Sequence, residues 1–432
     1  MNESLFIEYV KKFFPKLQRF IDKINGKRGD QLTYLHKDTS ILRKEYSPDN
    51  KWESGSVNTT YVAADYVAVD SELPLKSRDS IASANGKLPK IGIQKVLKES
   101  DINTLNVMKA QGATGETLAS KLAQDPVACD RGLDERNEFN FLYGLSNGYC
   151  AIKDEDNPNA VLRLNFNYMP THCFGASEVD IVSLSDIRNV IEHADADGNT
   201  ITKIWIAKST HAKLRQSREA KELVANYNGQ VFTDPTNLAV PTATKFNEAF
   251  ADEFNGVQFQ IVDRSIQIEK DGKRQSVKPW NANKLIFVCN DMVGALVYGR
   301  LAEQSNPVNN VDYQLIDNYK LISKYSLVNP LREVTSGQAF VAPIIEDVDQ
   351  LYSLDISQSE EVSEAEAEDT DDTYITIWGT KYNKANFISA MKAQGISIKV
   401  NATDETVIKA VNTLSDADEA KLKSAVEQYK AS

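Results

Sequence analysis

His172 and Cys173 stand side by side, and an imidazole next to a thiol is half of a zinc site. No second ligand pair follows at zinc spacing, and none of Cys129, Cys150, Cys173 and Cys289 forms a C-x-x-C pair. Cys150, Cys173 and Cys289 lie in or beside apolar stretches, so the thiols read as buried and reduced, in an intracellular protein. Asp195-Ala196-Asp197-Gly198 opens like a calcium loop, but in register the bidentate glutamate position is Ile204; a polar turn after a helix is the better reading. Gly112 to Thr117 (GATGET) lacks the lysine that a phosphate-binding loop uses, and no G-x-S-x-G elbow is present. Carboxylates are abundant, yet none are paired in a glycosidase or protease context. Catalysis needs a base or nucleophile beside an orienting partner. No local constellation of that kind stands out, which favours a structural or binding role. No catalytic residue, cofactor or metal is assigned.

The elements that surround these residues carry more information. The chain has 432 residues, 41% apolar and 25% charged, enough for two or three domains and a large core. Its net charge of −12 is uneven: eight carboxylates lie between Glu360 and Asp372 with no Lys or Arg among them, and removing them leaves −4. The acidity therefore belongs to one linker, and a duplex-gripping basic surface is not indicated. No apolar run reaches the length of a membrane span. Within residues 1–28, Leu5, Phe6, Val10, Phe13, Phe14, Leu17, Phe20, Ile21 and Ile24 recur at helical spacing, with Lys and Arg on the other face. That pattern lacks the uninterrupted apolar centre of a signal peptide. It fits a partner-docking arm or an ordinary amphipathic helix better than a membrane-surface helix.

Val57 to Asp70 reads as a strand, Leu73-Pro74-Leu75 breaks it, and Leu88 to Leu97 returns as a second strand. The expected product is a long two-stranded ribbon with a polar tip at Lys76 to Gly86. A lone ribbon of this kind is marginal in water, so it must lie on something, in this chain or another copy. Helices are expected at 100–123, 130–147, 183–194 with a Ser183 cap, 209–227 and 244–255. Strands are expected at 161–166, 203–207, 257–263, 265–269, 274–277, 284–289 and 340–345. After the acidic run, residues 373–432 read β-α-β-α-α, a separate small module with its first strand at Tyr374 to Trp378 and its first helix from Asn383 to Gln394.

Taken in order, several segments resemble the major capsid proteins of tailed bacteriophages, especially the lambda-type branch. Val62-Ala63-Ala64-Asp65 through Leu73-Pro74-Leu75 and Arg78, then Gly86-Lys87-Leu88-Pro89-Lys90, is similar to that family's extended loop. Residues 130–147 resemble its spine helix, and 183–227 its axial domain. The clearest match is Pro279, Asn283 to Cys289, Gly294, Tyr298-Gly299 and Ala302-Glu303. It continues through Ser323-Lys324, Asn329-Pro330-Leu331, Glu333-Val334-Thr335 and Ala342-Pro343. The similarity covers residues 50–345.

The resemblance implies an α+β capsid fold plus a small C-terminal α/β module. It maps an N-terminal helix and arm at 1–50, an extended β-ribbon loop at 51–98, and a peripheral domain with the spine helix at 99–180. An axial domain follows at 181–322, a return to the peripheral domain at 323–355, the acidic linker at 356–372 and the appended module at 373–432. It further implies pentamers and hexamers that close an icosahedral head, through heterologous contacts of arm and ribbon with neighbouring subunits. Packaged double-stranded DNA would be touched weakly and without sequence specificity. Portal and scaffolding or decoration proteins would be partners, with no membrane. The location would be the virion, assembled in the host cytoplasm. The short N-terminus departs from relatives with a long cleaved scaffolding segment, which leaves open a separate scaffold or none.

Contact candidates are Phe13, Phe14, Tyr61, Tyr66, Pro74, Arg78, Lys87 and Pro89. Arg78 and Lys87, expected at the ribbon tip, would meet a neighbour's carboxylates, or else are solvated surface charges. On the C-terminal module, Trp378 and Tyr382 are candidates for stacking on a host-surface glycan, against a core role for Trp378; the module could instead clamp capsomers. The rival readings are an encapsulin-type shell with enzyme cargo, a two-domain cytoplasmic enzyme built on residues 183–290, and a secreted adhesin.

Overall fold

The computed structural model describes residues 34–57, 81–112, 124–153, 161–229, 238–270 and 273–359. In the C-terminal part it describes 374–378, 380–383, 387, 388, 390, 391, 407, 411 and 421–423. The ribbon and arm candidates Phe13, Phe14, Tyr61, Tyr66, Pro74 and Arg78 lie outside these residues. The chain divides into two compact units, 1–357 and 358–432.

In the first unit, β1 (Leu42–Ser47) precedes a hairpin of β2 (Lys51–Val57) and β3 (Ile81–Lys87). The chain then turns at Pro89 into β4 (Lys90–Lys98) and the helix α1 (Glu99–Ala110). Asp101 caps that helix by accepting from the Lys98 amide. The long helix α2 spans Gln124–Asn147, starting a turn and a half earlier than the apolar pattern indicated, because Pro126 sits in its first turn rather than before it. A hairpin of β5 (Tyr149–Lys153) and β6 (Val161–Asn165) and the short β7 (Cys173–Ala176) follow.

The middle of the chain alternates. Helix α3 (Leu184–Ala196) begins at Ser183, whose hydroxyl accepts from the Asp186 amide as the sequence predicts. β8 (Lys203–Ala207) leads to two helices, α4 (Lys208–Gln216) and α5 (Arg218–Tyr227), where one was expected. Ser217 ends the first and caps the second, with extended backbone and its hydroxyl on the Ala220 amide. Helix α6 (Ala243–Glu253), β9 (Gln258–Val262) and the hairpin β10 (Ile266–Lys270)–β11 (Lys273–Val277) come next, then β12 (Lys284–Val288) and β13 (Gly294–Gly299). After the four-residue helix α7 (Ala302–Ser305), strands β14 (Asp312–Ile316), β15 (Lys320–Val328), β16 (Leu331–Ile345) and β17 (Leu351–Ser359) close the unit.

Two sheets organise these elements. The larger has the order β1-β13-β16-β15-β14, with β4 also paired to β16. β1 and β13 run parallel, and the other described pairs of this sheet are antiparallel. β16 is long enough to serve β4 along 332–340, β15 along 331–338 and β13 along 340–345. Helix α2 packs on this sheet along β16 and β4. Their close approach depends on Gly132, where a Cβ would fall 2.8 Å from Ile93 Cδ1. Leu133, Phe141, Leu142 and Leu145 from α2 join Leu296, Ile322, Val341 and Ile344 in the first core. The second sheet has the order β7-β17-β12-β8-β9. Helices α3, α5 and α6 bury Ile187, Val190, Val224, Phe246 and Phe250 against its Ile204, Ile206 and Phe287. The architecture is α+β.

The structure revises the ribbon. Among the described residues, the strand expected at 88–97 and the first ribbon strand fall in different sheets. Lys90–Lys98 belongs to the large sheet, and the partner of Lys51–Val57 is Ile81–Lys87. Pro89 enforces the separation, because it has no amide with which to continue a ladder. Lys87, opposite Lys51, is therefore at the base of the ribbon rather than its tip.

The second unit holds a hairpin of β18 (Tyr374–Ile377) and β19 (Thr380–Asn383) where a strand and the start of a helix were expected. Trp378 turns the hairpin with φ of 52°. Its core gathers Ile377, Phe387, Ile388, Met391, Val407, Val411 and Leu422.

Candidate functional site: the roots of two extensions

Helix α2 presents Asp130, Asp134 and Glu138 at intervals of four residues, hence on one face, with Glu135 beside them. On a solvated helix such a face would repel itself. Here it is buried: Asp130, Asp134 and Glu138 are each at most 1% exposed. Four cations from three other parts of the chain compensate it. Lys320, at the start of β15 and also fully buried, places Nζ 2.5 Å from Asp130 Oδ1, 3.0 Å from Asp134 Oδ1 and 2.9 Å from Asp317 Oδ2. The three carboxylates thus converge on the chain's own ammonium ion. Lys37 Nζ reaches Asp134 at 2.7 Å and Asp317 at 3.2 Å. Arg264 Nη2 donates to Glu135 Oε1 at 2.8 Å, and its guanidinium lies 4.5 Å from the centre of the Tyr34 ring.

The fourth cation is His36, buried completely, with Nδ1 2.6 Å from Glu138 Oε2 and Nε2 3.8 Å from Asp134 Oδ1. The same Glu138 carboxylate accepts from the backbone amides of Leu35 and His36, each at 3.1 Å. Tyr34 donates its hydroxyl to Glu135 at 3.0 Å. Residues 34–37 are therefore clamped to α2 by five side-chain or backbone donors.

The electrostatics follow from this geometry. Burial works against a charged His36, but the Asp134 and Glu138 carboxylates outweigh it and raise its pKa above the ordinary value. Burial also opposes ionisation of Asp134. The His36, Lys320 and Lys37 cations reverse that and hold it far below the usual carboxylate range. Asp317 is lowered for the same reason, by Lys320 and Lys37. Asp130 is raised, since burial, aided by the Asp134 charge, prevails over Lys320 and Lys37. Lys320 is pushed upward despite burial by Asp134 and Asp130.

The second root is that of the ribbon. Trp52 of β2 is buried, its ring 6.4 Å from that of Phe166. Gly86 stands directly opposite on β3, and a Cβ there would fall 2.8 Å from the Trp52 indole nitrogen. Ser54 Oγ donates to the carbonyl of Ile345 at 3.0 Å, which pins β2 to the end of β16. The Leu88 amide donates to the Asn50 carbonyl at 2.8 Å and closes the base. Of the sequence candidates, Lys87 is exposed at this base, and Pro89 is buried at the corner into β4.

The remaining candidates separate. His172 stacks on Tyr352 at 4.2 Å between ring centres, with Nδ1 3.3 Å from the Leu351 carbonyl, while Cys173 is exposed. Cys173 thus departs from the expected buried thiol, as the first, exposed residue of a short strand that becomes buried toward Ala176. Asp197 Oδ2 accepts from the Tyr352 hydroxyl at 2.9 Å, so the calcium-like segment is a hydrogen-bonded turn after α3. Trp378 packs on the core of the second unit, 6.0 Å from Phe387, with Lys423 Nζ 4.8 Å from its ring centre. The ammonium occupies one face that a sugar would need. Tyr382 lies on β19 opposite Ile375.

The ionic clamp itself was not foreseen. Its helical spacing of carboxylates was visible, but a lysine opening a strand reads as solvent-facing.

No protein-family model matches the chain, and no curated protein matches it. Among solved structures it is similar to the capsid of cyanophage A-1(L), at 12% identity over 76% of this chain and 95% of that one, with a TM-score of 0.41. A phage-related protein from Bordetella bronchiseptica RB50 matches at 10% identity over 79% and 97%, with a TM-score of 0.42. The mature capsid of bacteriophage PhiM1 matches at 10% over 76% and 88%, with a TM-score of 0.40.

Proposed function

We propose that this chain is a shell-forming structural protein of the tailed-phage major capsid type. Copies would close into pentamers and hexamers around packaged DNA. The observation that carries the reading is the pair of roots. Residues 34–37 and 50–57 are fixed to the body by buried polar contacts and Trp52, and in this reading the N-terminal arm and the ribbon continue from them. A protein that needs only its own core has little reason to bury so many charges to aim two segments. A protein whose segments lie across neighbours needs their directions fixed before assembly. The ordered resemblance in residues 50–345 points the same way.

In this reading residues 1–33 and the ribbon beyond Val57 and Ile81 supply heterologous contacts, each of standard size, about 1,600 Å². The remainder of the chain outside the acidic run is close to neutral, consistent with weak DNA contact that does not hinder release. Portal, scaffolding or decoration proteins would complete the particle, and the module after the acidic run would stand off the shell or clamp capsomers.

Negative-stain microscopy and sedimentation of the expressed protein test this, with and without a candidate scaffold. Closed shells or capsomers are expected. A chain that stays monomeric in all conditions, including with scaffold, overturns the proposal. Nuclease-protected DNA inside the particles supports the phage reading, and a bound enzyme cargo would move the assignment to an encapsulin-type shell.

A further inference from the structure

The charges around the arm root are finely balanced. Facing His36 from α2 are Asp134 and Glu138, with Asp130 and Glu135 flanking them. Lys320 and Asp317 face it from the β14–β15 turn and the start of β15. Lys37 and the edge of the Tyr34 ring, 5.5 Å away, come from its own segment, and Arg264 comes from the stretch between β9 and β10. Five carboxylates thus meet three permanent cations, and the imidazolium is the fourth. It is also the one cation in the cluster whose unperturbed titration lies near neutrality.

We propose that His36 is a proton-operated latch for the N-terminal arm: the imidazolium, held between Glu138 and Asp134, fixes residues 34–38 on α2, and loss of its proton frees them. The mechanism is local. Glu138 takes three donors from the arm, the Leu35 and His36 amides and His36 Nδ1. When the ring loses a proton, Nδ1 can keep its hydrogen and its bond to Glu138. Nε2 then carries none, so Asp134 loses a facing positive charge and the buried cluster gains a net negative one. An uncompensated buried charge is far more costly than the pair it came from. The segment that supplied the cation has one partly open side: Lys37 is about one-quarter exposed, whereas Asp130, Asp134 and Glu138 are buried. Opening there lets water reach the carboxylates without disturbing α2.

The sign follows from linkage. The pKa of His36 is raised in the folded protein, so its contribution is complete below the ordinary histidine value and is lost as pH rises through the raised one. The arm root is therefore locked in mild acid and released toward alkaline pH. Within the shell reading above, on which this consequence rests, the arm's contacts with neighbours inherit the same proton dependence.

Hydrogen exchange of the full-length chain tests the latch without requiring assembly. Protection of the backbone segment 34–38, which contains the Leu35 and His36 amides, is followed between pH 5.5 and 9.5 and corrected for intrinsic exchange. Amides in the middle of α2 serve as the internal reference. Wild type should show constant protection at the acid end. Above the ordinary histidine value it should fall, by up to about tenfold per pH unit for a single proton, and level off once the raised value is passed. His36→Gln keeps a donor but has no proton to lose, so it should show lower protection without that slope. Flat wild-type protection across the whole range overturns the latch. So does an undiminished slope in His36→Gln, which would assign the dependence to another group. A monomeric protein with the expected slope refutes the shell and keeps the latch, whereas shells with a flat profile do the reverse.

Discussion

The ammonium of Lys320 lies 3.0 Å from Asp134 Oδ1, and neither side chain reaches solvent. One residue opens β15 and the other sits in the middle of α2, so this pair ties the long helix to the sheet on which it rests. Lys320→Ala should leave Asp130 and Asp134 facing each other without their common cation. Breaking a buried pair in this way costs about 3–5 kcal/mol. Denaturant unfolding should show a loss of this size for the first unit. A change below 1 kcal/mol would mean that the cluster is hydrated rather than dry.

Gly86→Ala should be more harmful than an ordinary strand substitution. Its Cβ would meet the Trp52 indole nitrogen at 2.8 Å, and Trp52 is held in place by the core around Phe166. Overpacking of this kind costs about 1–3 kcal/mol. The expected readouts are a lower unfolding midpoint and altered tryptophan fluorescence. Gly86→Ala combined with Trp52→Phe should recover part of the loss, because the smaller ring vacates the space.

The thiols should divide by reactivity. Burial pushes Cys129, Cys150 and Cys289 each up to about 12, which leaves almost no thiolate at neutral pH. Cys173 is exposed. Brief maleimide treatment of the native protein should label Cys173 and spare the other three, with all four labelled in denaturant. Equal labelling of Cys150 and Cys173 in the native state would contradict the described packing.

Lys324, four residues along β15 from Lys320, should show the opposite pH behaviour from His36. Burial pushes its ammonium down to about 8, with Asp125 and Glu333 opposing the shift. The unfolded chain then binds the proton more tightly than the folded one. Stability from this group should rise as pH climbs from about 8 toward the ordinary lysine value near 10.4, by up to about 3 kcal/mol. The difference between wild type and Lys324→Met, measured by denaturant unfolding at pH 7, 8.5 and 10, should grow in favour of wild type. A constant difference would refute the assignment.

The sequence was most legible where one face decides everything. Ser183 with Leu184, Ile187 and Val190 announced α3, and KIWIA and KLIFVC read directly as strands. It was least legible where partners are remote. Lys90–Lys98 alternates as well as any ribbon strand, and only its distant register with β16 shows where it belongs. Ser217 interrupts an otherwise continuous helical pattern because a serine caps as readily as it continues a helix. Lys320 and His36 carry no local sign of burial. Apart from Asp317 beside Lys320, their counter-charges lie about a hundred or more residues away, and spacing along the chain does not reveal them.

One feature of the large sheet governs how it would bear load. β1 lies between the two roots and runs parallel to β13 over six residue pairs, Leu42 to Ser47. Tension applied through the arm at one end and the ribbon at the other pulls along that strand. Its bonds to β13 are then stretched together instead of being peeled apart in turn, and a ladder in shear yields at far greater force than one that unzips. The short stretch from Tyr34 to Lys51 would thus act as a tensile tie.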